Sequence, residues 1–214
     1  MGSTSPVLLG DGLIAQGGKD GTIRLLSMDI IKGTAPHQGG ELQVVDTPNK
    51  AQLLSGSATA KINNSTYLFA SQGGRGGRGG TTVWTVGSDK MLKEAWKNAT
   101  MGGNTPFYAG GLLYIYDAPG GHLLVFDAVT GNSVASLDAG TGHWNSVIVA
   151  DNRIALPEGA ISGFGGGGGR GGGGGRGAPG AAPGAAPAPA PPAPAAPAAP
   201  APIPTGIVNI WRLP

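Results

Sequence analysis

The chain has 214 residues, 42 of them glycine and 18 proline, with no cysteine and a formal net charge of +2. The missing cysteine excludes a disulfide framework and thiolate metal sites. The small positive charge makes no basic nucleic-acid face evident and a nucleic-acid partner is not expected, since Arg170 and Arg176 alone account for it and Arg75 and Arg78 add a local pair.

From the N-terminus, the pattern is a hairpin unit that repeats four times. Unit one runs Pro6–Leu9, turns at Gly10-Asp11-Gly12, and continues as Leu13–Gln16. A second turn over Gly17–Gly21 ends in Asp20-Gly21, a hairpin signal, and is followed by Thr22–Ser27, where Ile23 and Leu25 share a face. A long connection, Met28–Glu41, leads to Leu42–Asp46. Unit two reads Ser57–Ile62, an Asn63-Asn64 turn, Thr66–Ser71, a loop, Thr81–Val86 and Met91–Lys97. Unit three reads Pro106–Tyr108, Gly110-Gly111, Leu112–Asp117, Pro119-Gly120-Gly121, His122–Asp127, Thr130-Gly131 and Ser133–Asp138. In His122–Asp127, Leu124 and Phe126 oppose Leu123 and Val125, so both faces are apolar, as in a strand packed on two sides. Unit four reads Ser146–Ala150, Asp151-Asn152, Arg153–Pro157, a long tract, and Ile207–Leu213. No window has capped helical periodicity; Asp89–Lys97 comes nearest and is short.

The second strands start at Leu13, Thr66, Leu112 and Arg153, intervals of 53, 46 and 41 residues, the size of a four-stranded propeller blade. The fold expected is all-β: a partial β-propeller of about four antiparallel four-stranded blades, the last lacking its outer strand. The blades are placed at residues 5–47, 55–98, 104–139, and 144–161 plus 206–213.

Two low-complexity insertions interrupt the units: Gly73–Gly80, and a Gly/Arg then Pro/Ala tract over 163–206 with 15 glycines and 11 prolines in 44 residues. The tract has almost no side chain larger than alanine that is apolar, so ordering it is not repaid and disorder is expected. Both follow the second strand of their unit, so both should leave the same face of a propeller. Their Arg-Gly-Gly steps resemble RNA-binding tails, but each insertion holds two arginines and there is no aromatic interleaving beyond Phe164, which favours expanded hairpin loops.

Specific residues then accumulate in units three and four. The runs Ala109–Asp117 (AGGLLYIYD), Leu124–Gly131 (LVFDAVTG) and Gly142–Gly159 (GHWNSVIVADNRIALPEG) resemble the pyrroloquinoline-quinone (PQQ)-binding-like β-propeller repeat proteins of bacteria. Ser5–Gly21 and Gly206–Pro214 resemble the same group. The resemblance implies a quinoprotein-like repeat, seven or eight blades in the whole protein, and an export signal. It therefore implies a C-terminal fragment of a periplasmic or extracellular protein, with the remaining blades, or another chain, as partners at its open edges. Met1-Gly-Ser-Thr-Ser shows no signal peptide and no apolar run approaches 18 residues. The family repeat places a tryptophan four residues after the Thr-Gly; here that position is Ala135.

For function, the expectation is a non-enzymatic propeller scaffold or binding surface, with no cofactor, no catalytic residue and no metal ligand assigned. The alternative is half of a PQQ-dependent oxidoreductase. It would draw a general base and Ca²⁺ ligands from Asp117, Asp127, Asn145, Asp151 and Glu158. Most of these stand in turns, where Asp and Asn bond the local backbone. The densest polar-aromatic cluster is Gly142-His143-Trp144-Asn145-Ser146; the three histidines, 37, 122 and 143, lack metal-ligand spacing.

Overall fold

The structure, a computed structural model, describes residues 4–32, 40–72, 79–142, 145–159 and 207–212. Among these residues fifteen strands form four antiparallel sheets, each a meander of consecutive strands. The first sheet holds β1 (Val7–Gly10), β2 (Leu13–Gly17), β3 (Thr22–Ser27) and β4 (Glu41–Asp46). The second holds β5 (Ala58–Ile62), β6 (Ser65–Gln72), β7 (Gly80–Val86) and β8 (Leu92–Asn98). The third holds β9 (Phe107–Ala109), β10 (Leu112–Asp117), β11 (His122–Asp127) and β12 (Ser133–Asp138). The fourth, with three strands among the described residues, holds β13 (Ile148–Ala150), β14 (Arg153–Pro157) and β15 (Val208–Arg212).

The turn chemistry explains the first hairpin of each sheet. The β1–β2, β5–β6, β9–β10 and β13–β14 connections are Asp11-Gly12, Asn63-Asn64, Gly110-Gly111 and Asp151-Asn152, with positive φ at every residue. Only such turns match the right-handed strand twist, and Gly, Asn and Asp adopt them most readily. We call the face bearing these turns the lower face; the β2–β3, β6–β7, β10–β11 and β14–β15 connections lie on the upper one.

Each sheet packs on the next through one apolar core. Leu9, Leu13, Ala15, Ile23 and Leu25 of the first sheet meet Leu68, Ala70, Trp84 and Leu92 of the second. Tyr67, Phe69 and Val83 meet Leu113, Ile115, Leu124 and Phe126 of the third. Tyr114, Tyr116, Leu123 and Val125 meet Ile154 and Leu156 of the fourth. The strand β11 thus has both faces buried, as its two alternating apolar sets require. The first strands, β1, β5, β9 and β13, neighbour one another in sequence around the inside of the arc. Meandering sheets packed face to face, with their first strands innermost, are propeller blades. No core joins the first blade to the fourth among the described residues, so the propeller is partial.

One detail departs from the sequence pattern. The Met28–Glu41 connection begins with a single helical turn, α1 (Met28–Ile31), because the Ser27 hydroxyl accepts the Asp29 amide and caps it. The Met91–Lys97 strand of unit two is present as β8, Leu92 onward pairing with β7. The pairing of β15 with β14 follows the alternation: Trp211 opposes Ile154 and Asn209 opposes Leu156, while Ile210 opposes Ala155 on the other face. The tract 163–206 and most of the 73–80 insertion lie outside the described residues. Their flanking strand pairs, Gln72 with Gly80 and Pro157 with Val208, open on the same upper face.

Candidate functional site

On the upper face, where the chain passes from one blade to the next, buried side chains bind the passing backbone. At the seam between the second and third blades, Thr81 Oγ1 donates to the Met101 carbonyl at 3.0 Å. Its proton is thereby committed, so Ser71 Oγ, 3.1 Å away, is the donor to it. Ser71 Oγ in turn accepts the Gly103 amide at 2.9 Å. Ser71 and Thr81 are fully buried, so each bond replaces water that cannot reach them. The passing backbone approaches so closely that a Cβ at Gly102 would stand 2.5 Å from the carbonyl oxygens of Gln72 and Gly80. One at Gly103 would overlap the Tyr116 carbonyl. Glycine is needed here for space, since neither obstacle is a side chain that can move.

At the seam between the third and fourth blades the same device recurs with different residues. The Asn104 amide donates to the Tyr116 carbonyl at 2.8 Å. Asn104 Nδ2 donates to the Asn145 carbonyl at 2.9 Å, and Asn145 Nδ2 donates to the Pro157 carbonyl at 2.6 Å. Tyr116 has no exposed surface, and its hydroxyl donates to the Gly140 carbonyl at 2.6 Å. Burial, with the Glu158 and Asp117 carboxylates adding, pushes this phenol up to about 12. It therefore remains a donor throughout the physiological range. Glu158 sits beside Gly140, and its Oε1 is buried without a hydrogen-bond partner among the described residues. A shallow depression of about 230 Å³ opens between the starts of the second and third blades, lined by Leu54, Ser55, Gly56, Asn104 and Thr105. Its polar groups are engaged in part: Ser55 Oγ donates to the Ser71 carbonyl, and Thr105 Oγ1 accepts the Gly56 amide.

The outer strands are strapped as well. Gln43 of β4 bonds both backbone groups of Leu92, accepting its amide at 2.7 Å and donating to its carbonyl at 3.0 Å. Trp96 of β8 donates its indole N–H to the Ala128 carbonyl at 3.1 Å and stacks at a tilt on Phe126, centroids 6.0 Å apart. Trp96 pairs with Val83 as Ala135 pairs with Val125, so the inter-blade tryptophan absent from the third blade is present in the second.

The sequence candidates divide by face. Asn145 and Glu158 come together on the upper face beside Tyr116. Asp117 is also there, but its Oδ1 accepts the Gly120 amide in the β10–β11 turn. Asp127 lies on the lower face, where one oxygen accepts the Val129 and Thr130 amides and the Thr130 hydroxyl. Those bonds, the Thr130 amide first, hold its carboxyl below the usual range. Asp151 forms part of the β13–β14 turn, also below. Among the described residues no three of His, Asp and Glu gather to hold a metal ion. These residues do not fit a PQQ–Ca²⁺ centre: the candidate aspartates are spent on turns, and two stand at the opposite face from Asn145 and Glu158. His122 faces Asp138 across β11–β12, its Nδ1 3.5 Å from the carboxylate. His37, His143, Trp144, Arg75, Arg78, Arg170 and Arg176 lie outside the described residues.

Among the described residues, the outward faces of the first and fourth blades are covered by no neighbouring blade. On the first, Leu8, Ile14 and Leu26 lie in register across three strands, Leu8 being 67% exposed. On the fourth, Ile148, Ala155 and Ile210 lie in register, with Val208 alongside; Ile148 is 60% and Ile210 65% exposed. Arg153 and Arg212 oppose one another on that same face, and neither forms an ion pair with a described residue.

No family model matches the chain, and no curated protein matches it. Among solved structures it is similar to the computationally designed Ika4 protein, at 16% identity over 72% of this chain and 82% of that one, TM-score 0.47. It is similar to a putative 6-phosphogluconolactonase from Bacteroides fragilis, at 15% identity over 64% of this chain and 39% of that one, TM-score 0.46. The β-propeller domain of Cps50 (Swd1) from Myceliophteria thermophila matches at 11% identity over 72% of this chain and 46% of that one, TM-score 0.46. The chain thus spans less than half the length of the latter two.

Proposed function

We propose that the chain is a non-enzymatic propeller scaffold whose two outward blade faces bind further β-blades. The observation that carries this is the pair of apolar rows on those faces, Leu8-Ile14-Leu26 and Ile148-Ala155-Ile210, in which Leu8, Ile148 and Ile210 are exposed and the other three half-buried. Apolar surface of this kind, arranged in strand register, marks an interaction site. The polar groups on the upper face tether blade to blade, which suits a rigid support. By its resemblance to PQQ-binding-like repeats, the chain belongs in an exported bacterial protein, acting in the periplasm or outside the cell.

A hydrophobic dye tests this reading. At concentrations where light scattering reports single chains, the dye should fluoresce with the wild type and much less with the Leu8→Glu/Ile210→Glu double variant. A single-chain wild type that leaves the dye dark would overturn the proposal. The oxidoreductase alternative would be revived by a thermal midpoint that rises on adding PQQ with Ca²⁺.

A further inference from the structure

The two outward faces are not alike, and their difference points to a partner. Each internal seam joins a forward face of one blade to a backward face of the next. The exposed face of the fourth blade is of the forward kind. Its residues Ile148, Ile210 and Val208 occupy the register positions of Phe107, Val125 and Leu123 in the third blade, and those three pack into the seam with the fourth. The exposed face of the first blade is of the backward kind. Ile14 and Leu26 occupy the positions of Leu113 and Phe126, while Gln16 and Arg24 stand at those of Ile115 and Leu124; all four third-blade residues pack into the seam with the second blade. One copy therefore ends in a forward face and begins with a backward one.

Charge distinguishes the lower ends of the two faces. The forward face carries Arg153 and Arg212 directly opposite each other near its lower end. Like charges so placed destabilise a sheet on their own. The first blade carries Glu41, in register with Leu26 near the lower end of its backward face and 3.4 Å from the Arg24 guanidinium of the same face, and Asp11 in its lower turn.

Resting on the scaffold reading, we infer that the partner is a second copy of this chain. Two copies related by a twofold axis place each fourth blade on the other's first blade, giving a closed ring of eight blades, within the known range for propellers. Each blade face is about 15–19 Å wide and about 20 Å long from strand spacing and rise. Two such faces per copy cover roughly 700 Å², close to the roughly 800 Å² per partner of a stable interface.

Sedimentation velocity on the full chain tests this, with Leu8→Glu and Ile210→Glu as variants. Both residues are exposed in the single chain, so the fold should survive; far-UV circular dichroism checks that it does. The wild type should reach a limiting mass of two chains and grow no further. Each variant alone should lose affinity at least tenfold. An equal mixture of the two should recover part of it, because one seam then joins two unaltered faces. Arg212→Glu and Glu41→Arg, which leave the apolar rows untouched, should behave in the same way. A single chain at tens of micromolar, a mass that climbs without limit, or a variant pair whose mixture gains nothing would overturn the inference. In the first case dye binding by the single chain would leave the scaffold reading standing, and a dark dye would remove both.

Discussion

Replacing Trp96 by alanine should weaken the seam between the second and third blades more than any other single outer-strand change. The indole is half-buried, donates to the Ala128 carbonyl at 3.1 Å, leans on Phe126, and lies flat against Gly131. Full burial of such a ring is worth about 3–5 kcal/mol on truncation. The exposed part removes some of that, while the hydrogen bond and the aromatic pair each contribute about 1 kcal/mol. We expect a loss of about 3 kcal/mol, or a urea midpoint lower by about 1.5 M if the slope is about 2 kcal/mol/M. Circular dichroism at 218 nm is the readout (roughly the β-sheet minimum), because removing Trp96 also alters fluorescence. Gly131→Ala supplies the control. Its φ is +74°, and its Cβ would stand 2.6 Å from an indole ring carbon. In the wild type the alanine pays both for the left-handed backbone, about 1–2 kcal/mol, and for the overlap. In the Trp96→Ala background only the backbone cost remains. The two substitutions should therefore couple by 1 kcal/mol or more. An unchanged midpoint for Trp96→Ala, or an equal cost of Gly131→Ala in both backgrounds, would refute this account of the seam.

Ending the chain at Gly206 removes β15 and with it Trp211, which packs into the third core; several kcal/mol should be lost in denaturant unfolding, and equal midpoints would mean that β15 is not held as described. Asp20 accepts Arg24 at 2.7 Å, and this bond above all holds its carboxyl at about 2 rather than 3.8. A folded-state value below the unfolded one makes the stabilisation complete above about pH 4 and lost as pH falls towards 2; because the pair is largely exposed, the effect is small. Asp20→Asn should therefore flatten a small part of the decline in thermal midpoint across that window and leave the midpoint at pH 7 only slightly lower.

Much of this architecture was legible in the sequence because its signals are local. The Asn63-Asn64 and Asp151-Asn152 pairs mark turns by their own backbone preference. The double alternation of His122–Asp127 requires two neighbours. The odd and even residues of Ile207–Arg212 sort onto the correct faces even though the partner strand is remote. What stayed hidden depends on contacts between units. Trp96 looks like any aromatic residue in an outer strand until Ala128, Gly131 and Phe126 of the next blade are beside it. Asn104 and Ser71 are unremarkable polar residues in sequence, and their roles arise from the close passage of Gly102-Gly103. The α1 turn is too short for periodicity and rests on one hydroxyl, that of Ser27. Asp151 stands in the turn that the Asp151-Asn152 pair marks, whereas the bonds that Asp117 and Asp127 accept from the turns beyond their strands, and the approach of Asn145 to the Pro157 carbonyl, needed the fold.

The hairpin of β14 and β15 encloses residues 158–207, whereas the first hairpin of every blade closes over two residues. Loop-closure entropy grows by about 0.6 kcal/mol per doubling of length, so this one hairpin forms at a disadvantage of roughly 3 kcal/mol against a two-residue turn. Contacts between distant residues also form late in folding. The first three blades can thus assemble from neighbouring segments, with β15 docking last onto a prepared edge. In the native protein the same strand detaches first, as a unit of local opening. The backbone amides that β14 shares with β15 then exchange with solvent sooner than those of β10 or β11. The order of assembly along this chain is written less in its cores than in the unequal lengths of its turns.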